Sequence, residues 1–166
     1  MYRLGKRSRR VFDSGLDKDL KRIIEAQLLA SPIDFMLTDG MRTSGEQWEL
    51  FQIGREHFPN KGDWADPVAW IETGAGVVTY CDGIAKESRH QSGNAIDVCA
   101  YIPGRPDLAY DKIHMAVLIG SFLTTSKILH NQGLIERTLR SGADWDRDTQ
   151  FLEPGTFIDM PHLELI

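Results

Sequence analysis

The stretch SRHQSGNAIDVCAY, residues 88–101, decides the fold. Its second half, residues 96–101, groups β-branched and small apolar residues around one aspartate, Asp97, and predicts a buried strand. Gly93 permits a turn ahead of that strand. A carboxylate among apolar neighbours is costly to bury alone, so Asp97 is expected to have a charged partner or a metal ion.

Helical and extended patterns lie on both sides of this stretch. Helices are predicted over residues 17–29, from the capping box of Thr43 and Glu46 to about His57, and over residues 107–131, which Gly133 ends. Further strands are predicted at 34–38, 77–80, 134–139 and 157–165, with a turn at 141–144. The fold class is therefore α+β, a small antiparallel sheet with helices packed against it.

Length and charge restrict the class of protein. The 166 residues suit a single domain, 1–166, and the net charge is −5. Basic residues give the first ten positions +5, which leaves −10 for the rest. An acidic body argues against nucleic-acid binding. Residues 1–15 form a basic N-terminal arm, expected to be solvated, although contact with an anionic surface is an alternative.

Targeting signals are not evident in the sequence. No apolar segment follows the basic start as a signal peptide requires, and no apolar run reaches the roughly 20 residues of a membrane span. We therefore expect no stable membrane insertion. Cys81 and Cys99 are expected to be reduced, inert thiols.

The C-terminal stretch IDMPHLEL, residues 158–165, resembles the segment around Asp97 in placing polar side chains among apolar ones. Asp159, His162 and Glu164 sit among apolar residues of a predicted strand. Pro161 marks a bulge or a sheet edge, and a bulge would bring Asp159 to the same side as His162.

Two histidines and a carboxylate make a three-ligand zinc set with a fourth position for water. We predict His90, Asp97 and His162 as ligands and Asp159 as the base that takes the water proton. Glu164 is the rival base, because it shares strand parity with His162. Manganese or cobalt would also suit such ligands. A purely structural cluster of ionisable groups is the alternative.

The motifs S-x-H-x-x-G-x-A-x-D, from Ser88 to Asp97, and D-x-P-H-x-E, from Asp159 to Glu164, resemble the zinc D-Ala-D-Ala carboxypeptidase and dipeptidase family. Within it the sequence is most similar to phage L-alanyl-D-glutamate endopeptidases. TDGMRT at 38–43, followed by Gln47, resembles the family's segment with an active-site arginine. GVVT at 76–79 and GADWD at 142–146 resemble two further stretches.

The resemblance implies a Hedgehog/DD-peptidase-like fold and assigns roles to matching residues. It makes His90, Asp97 and His162 the zinc ligands and Asp159 the general base. Arg42 would bind substrate and stabilise the oxyanion. Ser88 would support the site and the substrate through its hydroxyl. Trp145 would line the substrate cleft, with a place in the core as the alternative.

One segment departs from the family's compact members. Residues 59–86 form an extended loop region that adds Trp64, Trp70 and Tyr80. This extension would act as a lid or only lengthen the packing, and it bears on substrate specificity.

The sequence therefore predicts a phage-type endolysin that cleaves peptidoglycan stem peptides, at the L-Ala–D-Glu bond, by zinc-activated water. It would remain in the host cytoplasm until a holin releases it to the cell wall, and it would be a monomer. One alternative is a D-Ala-D-Ala carboxypeptidase or dipeptidase on the same site. The other is a catalytically silent wall-binding or virion structural domain.

Overall fold

The structure is a computed structural model that describes residues 1–66, 69–73, 76–151 and 157–166. These residues form two compact units. We call Met1–Met41 with Gly93–Ile166 the sheet unit and Arg42–Ser92 the insert unit. The expectation of a single domain over residues 1–166 stays a prediction.

Ten helices and strands are described here in chain order. They are α1 Lys6–Asp13, α2 Lys18–Ala30, β1 Phe35–Asp39, α3 Ser44–Gln52, β2 Arg55–His57, β3 Trp70–Glu72, β4 Ala95–Ala100, α4 Lys112–Asn131, β5 Leu139–Gly142 and β6 Asp159–Leu165. Short 3₁₀ turns lie at Pro59–Lys61 and Pro106–Leu108. The insert unit contains α3, β2 and β3, and the sheet unit contains the rest.

An antiparallel sheet with the strand order β1-β4-β6-β5 forms the centre of the sheet unit. Apolar side chains from the sheet and from α2 and α4 share one core, which confirms the α+β prediction. Its largest fully buried apolar side chains are Leu20, Ile23, Ile24, Leu37, Ile96, Met115, Leu118, Phe122, Leu163 and Leu165. The core thereby holds β4 and β6, the two strands with the predicted site residues, against each other.

Helix α4 is the longest helix in the described residues, and its N-terminus is capped by Asp111. By length and composition alone α4 could cross a membrane, a test that core helices of soluble proteins also pass. Its Phe122 packs edge-to-face on Phe35 of β1 at 5.2 Å between ring centroids. Gly133, in the left-handed region at φ 69°, follows the helix end as the sequence predicts.

The N-terminal residues differ from the expected solvated arm. Residues 6–13 form α1, and Phe12 is buried in the core of the sheet unit. Ser8 is buried as well. Its hydroxyl accepts the N–H of Leu37 at 3.0 Å and donates to the carbonyl of Leu37 at 3.4 Å. Helix α1 therefore attaches to β1 through both apolar and polar contacts.

Several predicted boundaries are wrong. The strand predicted at 134–139 instead begins at Leu139, and β5 extends into the predicted turn at 141–144. The helix predicted to reach His57 ends at Gln52, because Gly54 turns the chain at φ 76° and β2 follows. Residues 76–80 form neither helix nor strand, contrary to the strand predicted at 77–80.

The insert unit has an aromatic cluster of its own. Trp64 stacks on His57 with ring centroids 3.9 Å apart, and Trp70 of β3 meets both rings. Trp70 also contacts Trp48 of α3 edge-to-face. Part of the 59–86 extension thus packs within this unit, while residues 67, 68, 74 and 75 of that extension lie outside the described residues.

Candidate metal centre and active site

Asp97 and His162 are direct cross-strand partners in the sheet unit. Asp97 lies on β4 and His162 on β6, and the antiparallel register sets them opposite each other. The Nδ1 atom of His162 lies 3.3 Å from Oδ1 of Asp97, and the two side chains are 8% and 22% exposed. An imidazole nitrogen and a carboxylate oxygen this close are suited to share one metal ion.

The predicted bulge in β6 is confirmed. Ser141 of β5 pairs with Leu163, but the next residue, Gly142, pairs with Asp159, so β6 has extra residues around Pro161. Gly142 is required here, because a Cβ atom would clash with the carbonyl of Asp159 and approach the Trp145 ring to 2.9 Å. The bulge brings the charge of Asp159 close enough to affect the imidazole of His162.

His162 lies between two carboxylates. Its Nε2 atom lies 3.0 Å from Oε2 of Glu164, while Nδ1 faces Asp97. Burial alone would lower the pKa of His162, but hydrogen bonds to Asp97 and Glu164 and the charges of Asp97 and Asp159 raise it to about 9. In the metal-free protein the imidazole therefore favours its protonated form near neutral pH.

Glu164, the rival base, is occupied. Its other oxygen, Oε1, pairs with Nη2 of Arg140 on β5, and its side chain is only 5% exposed. Burial would raise the pKa of Glu164, but hydrogen bonds from His162 and Arg140 lower it to about 2. A buried carboxylate with both oxygens bonded to cations is poorly placed to accept a proton from water.

Arg140 was not among the predicted site residues. Its signal was weak, because the strand predicted over 134–139 stopped one residue before it. Its place opposite Glu164 follows from the observed register of β5 and β6. Arg140 also donates from Nη1 to the carbonyl of Trp145 at 2.8 Å.

Trp145 contacts the candidate centre directly. Its ring lies 5.3 Å from that of His162, and its Nε1 donates to the carbonyl of Phe157 at 2.8 Å. It also lines a shallow cavity of about 100 Å³ together with Asp144 and Ile158. The assignment of Trp145 to a substrate cleft stays a prediction.

His90, Ser88 and Arg42 lie in the insert unit. His90 is 3% exposed, and its backbone N–H donates to the Ser88 hydroxyl at 3.4 Å. The carbonyl of His90 accepts the N–H of Arg42 at 3.2 Å. This unit therefore brings the predicted arginine next to the predicted histidine.

The Arg42 guanidinium is held by a buried amide. Its Nη1 donates to Oε1 of Gln47 at 2.5 Å, and Nε2 of Gln47 donates to the carbonyl of Cys81 at 2.7 Å. A Cβ at Gly83 would meet the Gln47 side chain at 2.8 Å, so the glycine allows this close packing. The guanidinium of Arg42 is therefore held in place, unlike that of a solvated surface arginine.

Both cysteines are thiols, as predicted. Cys81 is half-buried and Cys99 is buried, and neither forms a disulfide. Burial raises the pKa of the Cys99 thiol, which keeps it protonated and unreactive.

No family model matches the chain, and no curated protein matches it. Among solved structures, the Serratia marcescens L-Ala D-Glu endopeptidase ChiX aligns with 97% of this chain and 87% of its own, with a TM-score of 0.58. The two proteins share a fold. At 20% sequence identity, the similarity to ChiX concerns the fold alone.

Proposed function

We propose that this protein is a zinc-dependent peptidase that hydrolyses the stem peptides of peptidoglycan at the L-Ala–D-Glu bond. The observation that carries the proposal is the close pair of Asp97 and the buried His162 on adjacent strands, with the charge of Asp159 acting on the same imidazole. The fold shared with ChiX, a protein named as an L-Ala D-Glu endopeptidase, supports the substrate class.

The donor chemistry suits zinc. Asp97 and His162 supply an oxygen and a nitrogen from adjacent strands, and both atoms belong to the ligand types of catalytic zinc sites. We propose His90 as the third ligand because it occupies the histidine position of the S-x-H-x-x-G-x-A-x-D motif, from Ser88 to Asp97. The same ligand types also suit manganese and cobalt, so the metal content of the purified protein is measured for all three metals.

The roles of the chain's own groups follow from their chemistry. Zinc, when bound, would lower the pKa of a water molecule to near 7 and polarise the scissile carbonyl. Asp159 accepts the proton of the attacking water and returns it to the leaving amine. Arg42, with its guanidinium fixed by Gln47, stabilises the negative charge that develops on the carbonyl oxygen. Ser88 holds the backbone of His90.

Muropeptide digestion tests the proposal. Purified sacculi are incubated with the parent protein and with His162→Ala, the products are identified by mass spectrometry, and bound metal is measured in both proteins. We expect new D-Glu amino termini and about one zinc per chain for the parent, and neither for the variant. Free D-alanine would instead indicate the carboxypeptidase or dipeptidase, and wall binding without hydrolysis by the zinc-loaded protein would indicate a silent domain.

The biological role that we propose is a phage endolysin that acts after release from the host cytoplasm through a holin. The proposed partner is peptidoglycan, with the protein acting as a monomer and without nucleic acid or stable membrane insertion. Cytoplasmic expression should lyse cells when a holin is co-expressed and leave them intact without it. Lysis without a holin would contradict this route.

A further inference from the structure

The side chain of Glu164 connects two strands at the candidate centre. Arg140 on β5 and Glu164 on β6 are cross-strand partners, and the guanidinium pairs with Oε1 of the carboxylate. The guanidinium is itself fixed, since Nη1 donates to the carbonyl of Trp145 and its carbon lies 5.3 Å from the Trp145 ring centre. One oxygen of Glu164 is therefore committed to Arg140.

The other oxygen of Glu164 selects one nitrogen of His162. Oε2 lies 3.0 Å from Nε2 of His162, whereas Nδ1 of the same ring lies 3.3 Å from Asp97. Both neighbours are carboxylates, which only accept hydrogen bonds, but Asp97 is itself a proposed metal ligand, so Glu164 is the acceptor that holds a proton on Nε2 when the metal is bound. With the proton there, the lone pair of the neutral ring is on Nδ1, the nitrogen beside Asp97.

We propose that Glu164, anchored by Arg140, is a positioning residue that fixes His162 with Nδ1 as its metal-binding nitrogen. This inference rests on the proposed function, because it concerns the metal centre of that enzyme. Carboxylates that hold the second nitrogen of a ligating histidine fix the tautomer and the ring orientation, and their loss weakens metal affinity by roughly 10- to 100-fold.

Glu164→Gln gives a sharp test because Arg140 can only donate hydrogen bonds. The guanidinium would hold the amide oxygen, so the amide NH₂ would point at Nε2 of His162. That contact requires an unprotonated Nε2 and moves the proton to Nδ1, which blocks the nitrogen beside Asp97. We expect the zinc dissociation constant of Glu164→Gln to rise roughly 10- to 100-fold.

A double variant should restore binding. In Glu164→Gln with Arg140→Met, the amide is free to rotate and accept from Nε2, so zinc affinity should recover most of the loss seen in Glu164→Gln. Zinc affinity is measured on the full chain by competition with a chelator. The His162 tautomer is read from ¹⁵N NMR shifts of the metal-free proteins above pH 10, where the ring is neutral. Glu136→Gln, at an exposed glutamate paired with Lys18, is the matched control and should match the parent.

The outcomes separate this inference from others. Unchanged zinc affinity with lost hydrolysis in Glu164→Gln would make Glu164 the base and overturn the positioning role. Weaker zinc affinity without a tautomer change, and without recovery in the double variant, would show that Glu164 has only a structural role and would overturn the positioning role. A parent protein that binds no zinc would overturn it as well. Weaker zinc binding with the expected tautomer change, in a parent that cleaves no peptidoglycan, would support the inference and refute the proposed function alone.

Discussion

Asp159, the proposed base, lies at the bulge where the pairing of β6 with β5 shifts. Asp159→Asn keeps the size of the side chain but removes its capacity to take a proton. We expect hydrolysis of stem peptides to fall by roughly 10²- to 10⁴-fold. Zinc content should stay at the parent level, because Asp159 is not a proposed ligand.

Asp13→Asn is the control for that experiment. Asp13 is an exposed carboxylate of the same unit, and its variant should hydrolyse stems at the parent rate. Loss of zinc together with activity in Asp159→Asn would show that Asp159 holds the metal and is not the base.

Arg42 allows a second prediction for a single residue. Replacing it with Gln removes the fixed cation that we place at the developing oxyanion, so kcat should fall by roughly 10²- to 10³-fold while zinc stays bound. Arg105→Gln, at an exposed arginine paired with Asp107, is the matched control. A change confined to KM would show that Arg42 only binds the substrate.

The sequence could predict site residues where chemistry conflicts with surroundings. Asp97 and His162 stood out because each is polar within an apolar strand, and the structure sets these two side chains together. Arg140 gave no such signal. Its importance comes from cross-strand register, which depends on where β5 begins, and strand boundaries are set by tertiary pairing more than by local propensity.

The β5–β6 pairing leads to a prediction about an element. Gly142→Ala would push the added methyl into the Asp159 carbonyl and the Trp145 ring, so the bulge must shift. We expect a loss of about 1–3 kcal/mol in the free energy of unfolding, together with reduced hydrolysis. Chemical denaturation and stem-peptide assays on the same preparation measure both.

Gly120→Ala is the comparison variant for this experiment. Gly120 lies within α4, and an added methyl there meets nothing within 4 Å. Alanine in a helix interior should raise the free energy of unfolding by about 0.5–1 kcal/mol. A similar loss of stability in both variants would refute the steric argument for Gly142.

The extended elements were harder to locate from sequence than the helices. The helix predicted at 17–29 is α2, whose N-terminus is capped by Asp17, and the predicted capping box at Thr43 is present. Caps are local signals and survive folding. By contrast β3, Trp70–Glu72, pairs with β2 in a short ladder that the sequence did not indicate. Three-residue strands carry too little periodicity to be read without their partner.

At the scale of the molecule, the charges around His162 predict how stability changes with pH in the metal-free protein. The pKa of His162 is about 9 in the folded state and 6.5 as the reference value. Its protonated form therefore stabilises the fold fully below pH 6.5, and this contribution is lost as the pH rises through 9. Its size is on the order of 3 kcal/mol.

The measurement is denaturant unfolding of the metal-free protein between pH 6 and pH 10. His162→Gln should flatten the curve over this range. On the acid side, the lowered pKa of Glu164 gives a contribution that is present above pH 4.5 and lost as the pH falls toward about 2. If the free energy of unfolding of the parent protein did not change between pH 6.5 and 9, the raised pKa of His162 would be refuted.

Helix α1 has a consequence for handling the whole chain. β1 is an edge strand, and the Ser8 hydroxyl occupies the backbone N–H and carbonyl of Leu37 there. Removal of residues 1–13 would expose these backbone groups of β1, which would then be available to pair with a strand of a neighbouring molecule. Truncated proteins are therefore expected to aggregate, as measured by light scattering. The contribution of the positive charge of α1 is better tested by replacing its arginines with neutral residues than by truncation.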